Sequence, residues 1–527
     1  MNRGFCALLC AATLLANPAS ARVVLVGVDG AAWSVIDPLL AAGELPSLAA
    51  MSKRGITAEL ETVEPLNSPT VWTSIATGRS PDAHGVTDFL DTSISVQVPT
   101  IFEQLAVQGR RVGTYDYLVT WPPRPLPGGF VIPGWLRRDE SVAPTDAFER
   151  AGLSGYRYSL QGLASREDYV ENSRMELAKK AAHWNALAEA FDLDVGAVTF
   201  YSVDGLSHRF WHDSFPEQFE AGVPPPEERY ARLIPETMIG IDRAIGEIAG
   251  ALGPEDSLLV VSDHGFQAGD DGLRRVWSFD LAPSLARAGL IPERDDFHIV
   301  GQFAFVLLRV HSGPFENRDP ILERLTGLFE NARTASGKPL YTVEILDMVE
   351  RPAGSERPLF ARLRQWVVRL IMKRFYHVQL DPNAHAYLLA RPKSDVFEEA
   401  WPEGAVEIAG ATVPVSEIAS ADGFSATHHP IGILLAAGDP IRHLETRERV
   451  SVLEVAPLLA YLAGAAVPED LEGSLMEPWI RPEYLASHPP RRVEAAELPR
   501  LPAWEAERAS GADSDLIERL RSMGYIE

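Results

Sequence analysis

Cysteine is almost missing: the 527 residues hold two, Cys6 and Cys10, both within the first ten positions. Neither a disulfide framework nor a thiolate-ligated metal site can be built downstream of them. Positive charge is also scarce, with 48 Lys and Arg against 73 Asp and Glu and a formal charge of −25. No general basic surface is left for nucleic-acid phosphates or anionic lipid, so no nucleic-acid polymer is expected as a partner. Beyond the leader no segment reaches the ~18 consecutive apolar residues of a membrane span. The nearest, Leu359 to Leu380, is broken by Arg362, Arg364, Arg369, Lys373 and Arg374 and reads as an amphipathic helix packed on its own protein. Internal repeats and low-complexity tracts are absent too. What remains is 46% hydrophobic and 23% charged, which suits a chain that buries a sizeable core and excludes a disordered or fibrous one.

Residues 1–21 read as a secretory signal peptide: Arg3, an apolar run from Phe5 to Ala16, a break at Asn17-Pro18 and Ala19-Ser20-Ala21 at the cut. The mature protein would then carry no cysteine and is expected in the periplasm or secreted. Continuous β-branched runs at Val23 to Val28, Val195 to Tyr201, Ser257 to Val261 and Gly432 to Ala437 alternate with helical patterns at Ser173 to Phe191, Glu227 to Leu252 and Val450 to Leu462. Uniformly apolar strands belong to a sheet covered on both faces, so the fold class is α/β and mostly parallel. Ser173 and Glu176 have the spacing of a capping box at the start of the first helix. Residues 22–477 form the catalytic domain in this reading, with a cap or insertion over about 270–420. Residues 478–527 form a Pro-rich linker and a short C-terminal docking helix, Ser514 to Met523.

In an open α/β sheet the ligands bind beyond the carboxyl ends of the strands. The first strand ends in Asp29-Gly30, the second in Ser202-Val203-Asp204 with His208 four residues on, and the third in Ser262-Asp263-His264-Gly265, while Thr427-His428-His429 precedes the fourth. Each is ordinary alone, as a loop cap, a helix-surface pair or a structural histidine. Together they make an oxygen and nitrogen donor set that suits zinc, and less specifically manganese or iron. Six side chains exceed one tetrahedral ion, and two ions form the usual clamp for in-line displacement at phosphorus. Asn67 to Gly78 reads as a helix with Ser68 as N-cap, Pro69 at the first position and Gly78 at the end. A hydroxyl there lies in the positive end of a helix dipole, beside backbone N–H groups expected to hold a phosphoryl group, and can act as a nucleophile.

These motifs, with Ser68-Pro69-x-x-Trp72-Thr73-Ser74-Ile75-Ala76-Thr77-Gly78 and Pro81-x-x-His84-Gly85 between them, resemble the alkaline phosphatase superfamily, in particular its type I phosphodiesterase/nucleotide pyrophosphatase family. The motifs run in family order from about Val23 to Leu475. The resemblance implies an alkaline-phosphatase-like sheet sandwiched by helices. It also implies two divalent metals, zinc in the family's manner, and a phosphoseryl intermediate formed on a small phosphate ester. Asp29, Asp263 and His264 would hold one metal with the nucleophile Ser68, and Asp204, His208 and His428 the other. Thr70 and His429 are the fallbacks for Ser68 and His428. Val71 stands where nucleotide pyrophosphatases place an Asn, and Arg79, Arg124 and Arg209 are the nearby guanidinium groups. His84 is expected to tie down a loop, and Trp121 and Trp211 to pack. A sulfate or phosphonate ester hydrolase of the same superfamily, or a non-catalytic binding protein on this scaffold, is the alternative.

Overall fold

The computed structural model describes residues 21–160, 166–219, 225–269, 274–279, 282–291, 297–302, 306–310, 318–347, 384–393, 396, 404–499 and 501–502. The first twenty residues of the leader, the Leu359 to Leu380 stretch and the C-terminal helix lie outside the described residues. Eight strands form the central sheet, in the order Glu448–Ser451, Ile56–Glu61, Ile431–Gly438, Ser257–Val261, Val23–Val28, Val195–Phe200, Val112–Tyr117 and Phe130–Pro133. Every neighbouring pair is parallel except the two that include Ile431–Gly438. All residues of the Val23, Val195 and Ser257 strands are buried, as their nearly continuous apolar sequences require.

Helices cover both faces. A Cβ on Gly196 would strike Trp184 of the Arg166–Ala190 helix, and one on Gly27 would strike Trp72 of the Ser68–Thr77 helix as well as Thr199. Gly196 and Thr199 are three residues apart on one strand and so point to opposite faces. Trp184 and Trp72 therefore lie on opposite sides of the sheet. A second, smaller unit follows, with an antiparallel sheet of Tyr341–Asp347, Ala386–Pro392, Val306–Val310 and Phe297–Gln302 and its own core around Phe297, Leu308, Leu325, Phe329 and Leu388. The pairing of Arg274–Phe279 with Ala419–Phe424 joins it to the first.

Three local expectations are corrected. Ser173 and Glu176 are buried inside the Arg166–Ala190 helix rather than at its start, and Glu176 reaches another element. The helix expected from Glu227 begins at Leu233, after a single turn at Glu228–Tyr230. Pro235 explains this, since its ring and missing N–H are tolerated only in a first turn. At Val450 the chain is still an edge strand, and the helix starts at Val455 after a turn in which Ser451 accepts the N–H of Leu453. Within the Pro-rich stretch lie a short helix, Pro482–Ser487, and a two-residue pairing of Arg492–Val493 with Val467–Pro468. Among the described residues no helix is long and apolar enough to cross a membrane.

Candidate active site

The Val23, Val195 and Ser257 strands are parallel neighbours, so Asp29, the Ser202–Ser214 helix bearing Asp204 and His208, and Asp263-His264 all emerge at one edge of the sheet. The Ile431 strand runs the other way and begins at that edge, so its histidine comes before it. A short ladder sets His428 opposite Phe266. The rings of His264 and His428 then stack with centroids 3.7 Å apart. Gly30 makes the approach possible. Its φ is +73°, and a Cβ would lie 2.5 Å from the Phe266 ring and 3.1 Å from Asp204 Cα.

The seven residues singled out from the sequence meet as two adjoining groups. His264 Nε2 lies 3.5 Å from Asp29 Oδ1 and 3.4 Å from Asp263 Oδ2, with Ser68 Oγ 3.4 Å from both Asp29 Oδ1 and His264 Nε2. Asp204 Oδ1 lies 3.3 Å from His208 Nε2 and 3.4 Å from His428 Nε2, and these two nitrogens are 3.1 Å apart. His264 also belongs with Asp204 and His428, all three offering donor atoms within 4.8 Å of one another.

The protonation pattern fits a cation. His264 Nδ1 donates to the Gly265 carbonyl at 3.1 Å, so its Nε2 turns a lone pair, not a proton, toward two carboxylates. His428 Nδ1 faces the Leu66 carbonyl in the same sense. Asp263 Oδ2 is buried without a hydrogen-bond donor. Burial, with the Asp263 and Asp204 charges, pushes Asp29 well above the ordinary carboxylate value, and burial with Asp204 does the same to Asp263. Burial also raises Asp204, but His208 and His428 outweigh it and hold it well below. Burial keeps His208 and His264 below the ordinary imidazole value, in the neutral form that binds metals. Divalent cations would relieve both the facing lone pairs and the crowded carboxylates.

Ser68 is not the cap of its helix. Asn67 is, its side chain accepting the Thr70 N–H at 3.0 Å, and Ser68 is the first helical residue with its hydroxyl left to the site. The expected array of free backbone N–H groups is also reduced. Pro69 has none, Asn67 takes those of Thr70 and Val71, and among the described contacts only that of Ser68 is left. Thr70 is wholly buried with its hydroxyl bonded to nothing among the described residues, and His429 Nδ1 accepts the Ile431 N–H at 3.1 Å, outside both groups.

Residues 23–324, more than half of the chain, match the family described as type I phosphodiesterase / nucleotide pyrophosphatase. The chain belongs to that family. It is thus a hydrolase of the phosphodiesterase and nucleotide pyrophosphatase type. Among solved structures it is similar to human ectonucleotide pyrophosphatase / phosphodiesterase 5, at 14% identity, covering 87% of this chain and 100% of that one with a TM-score of 0.39. The murine protein of the same name is similar at 14% identity, with 87% and 100% covered and a TM-score of 0.38. No curated protein matches the chain.

Within this family's frame, Val71 is wholly buried and offers nothing polar to a substrate. The three guanidinium candidates are engaged elsewhere: Arg79 with Asp470, Arg124 with Glu103 at 2.7 Å, and Arg209 stacked 3.7 Å over Tyr169. Trp121 bonds Asp139, and Trp211 bonds Gln218 and stacks on Phe266. The supporting contacts of two residues are not read from the sequence. Trp72 donates its Nε1–H to Asp29 Oδ2 at 3.0 Å and so aims Oδ1 at Ser68 and His264. Phe266 packs its ring against those of His208, His264 and His428, with centroids 4.9, 5.6 and 5.2 Å away. A tryptophan four residues after the candidate nucleophile was the available signal for Trp72; nothing marked Phe266.

Proposed function

We propose that this phosphodiesterase-family chain cleaves small phosphoric esters, mono- or diesters, through a phosphoseryl intermediate on Ser68. The observation that carries this is the hydroxyl placed 3.4 Å from both Asp29 and His264, at the first position of a helix, beside a second Asp/His group. Asp29, Asp263 and His264, with Ser68, would hold one divalent ion, and Asp204, His208 and His428 the other; the mixed oxygen and nitrogen donors favour zinc. Such ions, when bound, supply Lewis-acid neutralisation of the phosphoryl oxygens.

The chain's own residues supply position. Asn67 takes over the capping task, so Ser68 Oγ is left to Asp29 and His264, and the helix dipole favours its deprotonated form. The Oγ–P bond forms as the bond to the leaving ester oxygen breaks, in line and on the opposite face. Water then attacks phosphorus, releases phosphate or a monoester and returns the Ser68 hydroxyl. The leader-like segment before Val23 supports a location outside the cytoplasm for this activity, in the periplasm or secreted.

Purified protein should retain about two zinc ions per chain, the two-ion arrangement of such sites. It should hydrolyse p-nitrophenyl phosphate or bis-p-nitrophenyl phosphate in a chelator-sensitive way, ahead of the matching sulfate and phosphonate esters. Ser68→Ala should lower turnover by roughly 10³-fold or more with zinc content unchanged. Full activity in that variant would sink the nucleophile assignment.

A further inference from the structure

The Ser202–Ser214 helix, which carries Asp204 and His208, has no cap of its own: Tyr201 precedes it and no nearby side chain accepts its first N–H groups. Glu176, from the middle of the Arg166–Ala190 helix, does so across the fold. Its carboxylate accepts the Ser202 N–H at 2.8 Å, the Tyr201 N–H at 3.1 Å and the Ser202 hydroxyl. Lys180, one turn further along the same helix, pairs with Glu176, bonds Asp116 Oδ2 at 2.9 Å and donates to the Thr199 carbonyl at 2.7 Å. Glu176, Lys180 and Asp116 are all fully excluded from solvent.

The lysine sits in an aromatic box, with the rings of Tyr201, Tyr158, Phe200 and Tyr115 at 5.2, 5.4, 5.4 and 5.9 Å from Nζ. Asp116, which closes the network, has a φ of +57° near the end of the Val112–Tyr117 strand. Burying two carboxylates and one ammonium is a poor route to stability, since apolar residues of similar volume do as well or better. What the charges provide is direction, because they clamp two strand ends and a helix start that lies two residues before Asp204.

We propose that Glu176, with Lys180 and Asp116 holding it, is a positioning residue for the Asp204/His208/His428 metal group, setting the place and rotation of the helix that delivers two of its three donors. This rests on the two-ion reading above. Glu176→Gln keeps the volume but turns a neutral amide to the Ser202 amide and the Lys180 ammonium; Lys180→Met leaves both carboxylates uncompensated.

The experiment measures zinc affinity of the full chain by chelator competition, together with bound zinc per chain, kcat/KM against free zinc and Tm. Removing a contact that orients a metal ligand typically weakens metal binding by about 10–100-fold. That loss is expected in Glu176→Gln for one of the two ions only, with kcat/KM recovering in excess zinc. A lowered Tm with zinc affinity within twofold of wild type would overturn the proposal, since a purely structural role moves Tm alone. Should Lys180→Met fail to fold, Glu176→Gln decides by the same readout. A wild-type protein that binds no zinc overturns the two-ion reading instead, and the two failures are thereby told apart.

Discussion

Lowering the pH from 7 to 5 should cost the wild-type protein more stability than it costs a His84→Gln variant. His84 closes the short Pro81–His84 helix and is wholly buried. Its Nδ1 accepts the Val86 N–H at 3.1 Å, so the proton of the neutral ring sits on Nε2 and is shared with Ser74 Oγ at 2.8 Å, on the helix that begins with Ser68. A second proton would have to displace the Val86 amide inside the protein. Burial pushes the ring down to about 4 from 6.5, with Asp91 and Glu472 acting in the opposite sense. Because the folded value is the lower one, the unfolded chain takes up the proton first. The stability contribution is therefore present above pH 6.5 and lost as the pH falls toward 4. For a single group this linkage between pH 7 and pH 5 amounts to about 1–2 kcal/mol. Urea unfolding of both proteins at both pH values isolates the difference, since every other titrating group is common to the pair. Equal losses, within about 0.3 kcal/mol, a typical resolution for such a comparison, would refute the assignment of a buried neutral ring at this position.

Asn67→Ala removes the cap beside Ser68 and should lower stability by about 1 kcal/mol, read as a drop in the urea midpoint; no drop would mean Ser68 can cap the helix itself. Trp72→Phe strips Asp29 Oδ2 of its donor and should weaken zinc binding by about 10–100-fold in a chelator competition, and wild-type affinity would show that Asp29 is aimed by something else. Gly30→Ala forces a Cβ to 2.5 Å from Phe266 at a φ of +73°. The cost should be about 1–3 kcal/mol with loss of turnover, and a fully active, equally stable variant would show that the site's packing yields more readily than its geometry implies.

The strands readable in the sequence were those whose burial on both faces leaves almost only apolar residues, such as Val23–Val28 and Ser257–Val261. Val112–Tyr117 and Ile56–Glu61 were not. Thr114 and Asp116 interrupt the apolar run of Val112–Tyr117, and the alternating Glu59 and Glu61 give Ile56–Glu61 the pattern of a surface segment. The residues that meet in the two Asp/His groups were legible because each sits close past a strand end or, for His428, just before a strand. The supporting contacts were not, since they join distant positions. Glu176 has the spacing to Ser173 of a local cap, yet it caps a helix 26 residues away. Ser68 and Asn67 are both good N-caps by type, and only the path of the chain into the helix decides between them.

The reversed strand, Ile431–Gly438, fills the slot between Ile56–Glu61 and Ser257–Val261. Made in order from the ribosome, the chain must therefore complete both flanking strands and then extend by some 170 further residues, from 262 to 430, before the piece that joins them exists. Until then the Ser257–Val261 edge stands unpaired, and Ile56–Glu61, whose other neighbour Glu448–Ser451 is made later still, has no strand partner, which is the exposure that invites association between chains. His428 arrives with that closing strand. The strand that makes the sheet continuous thus also brings the last side chain of the two Asp/His groups, with only the edge strand Glu448–Ser451 still to be added, and a chain halted before residue 428 has neither.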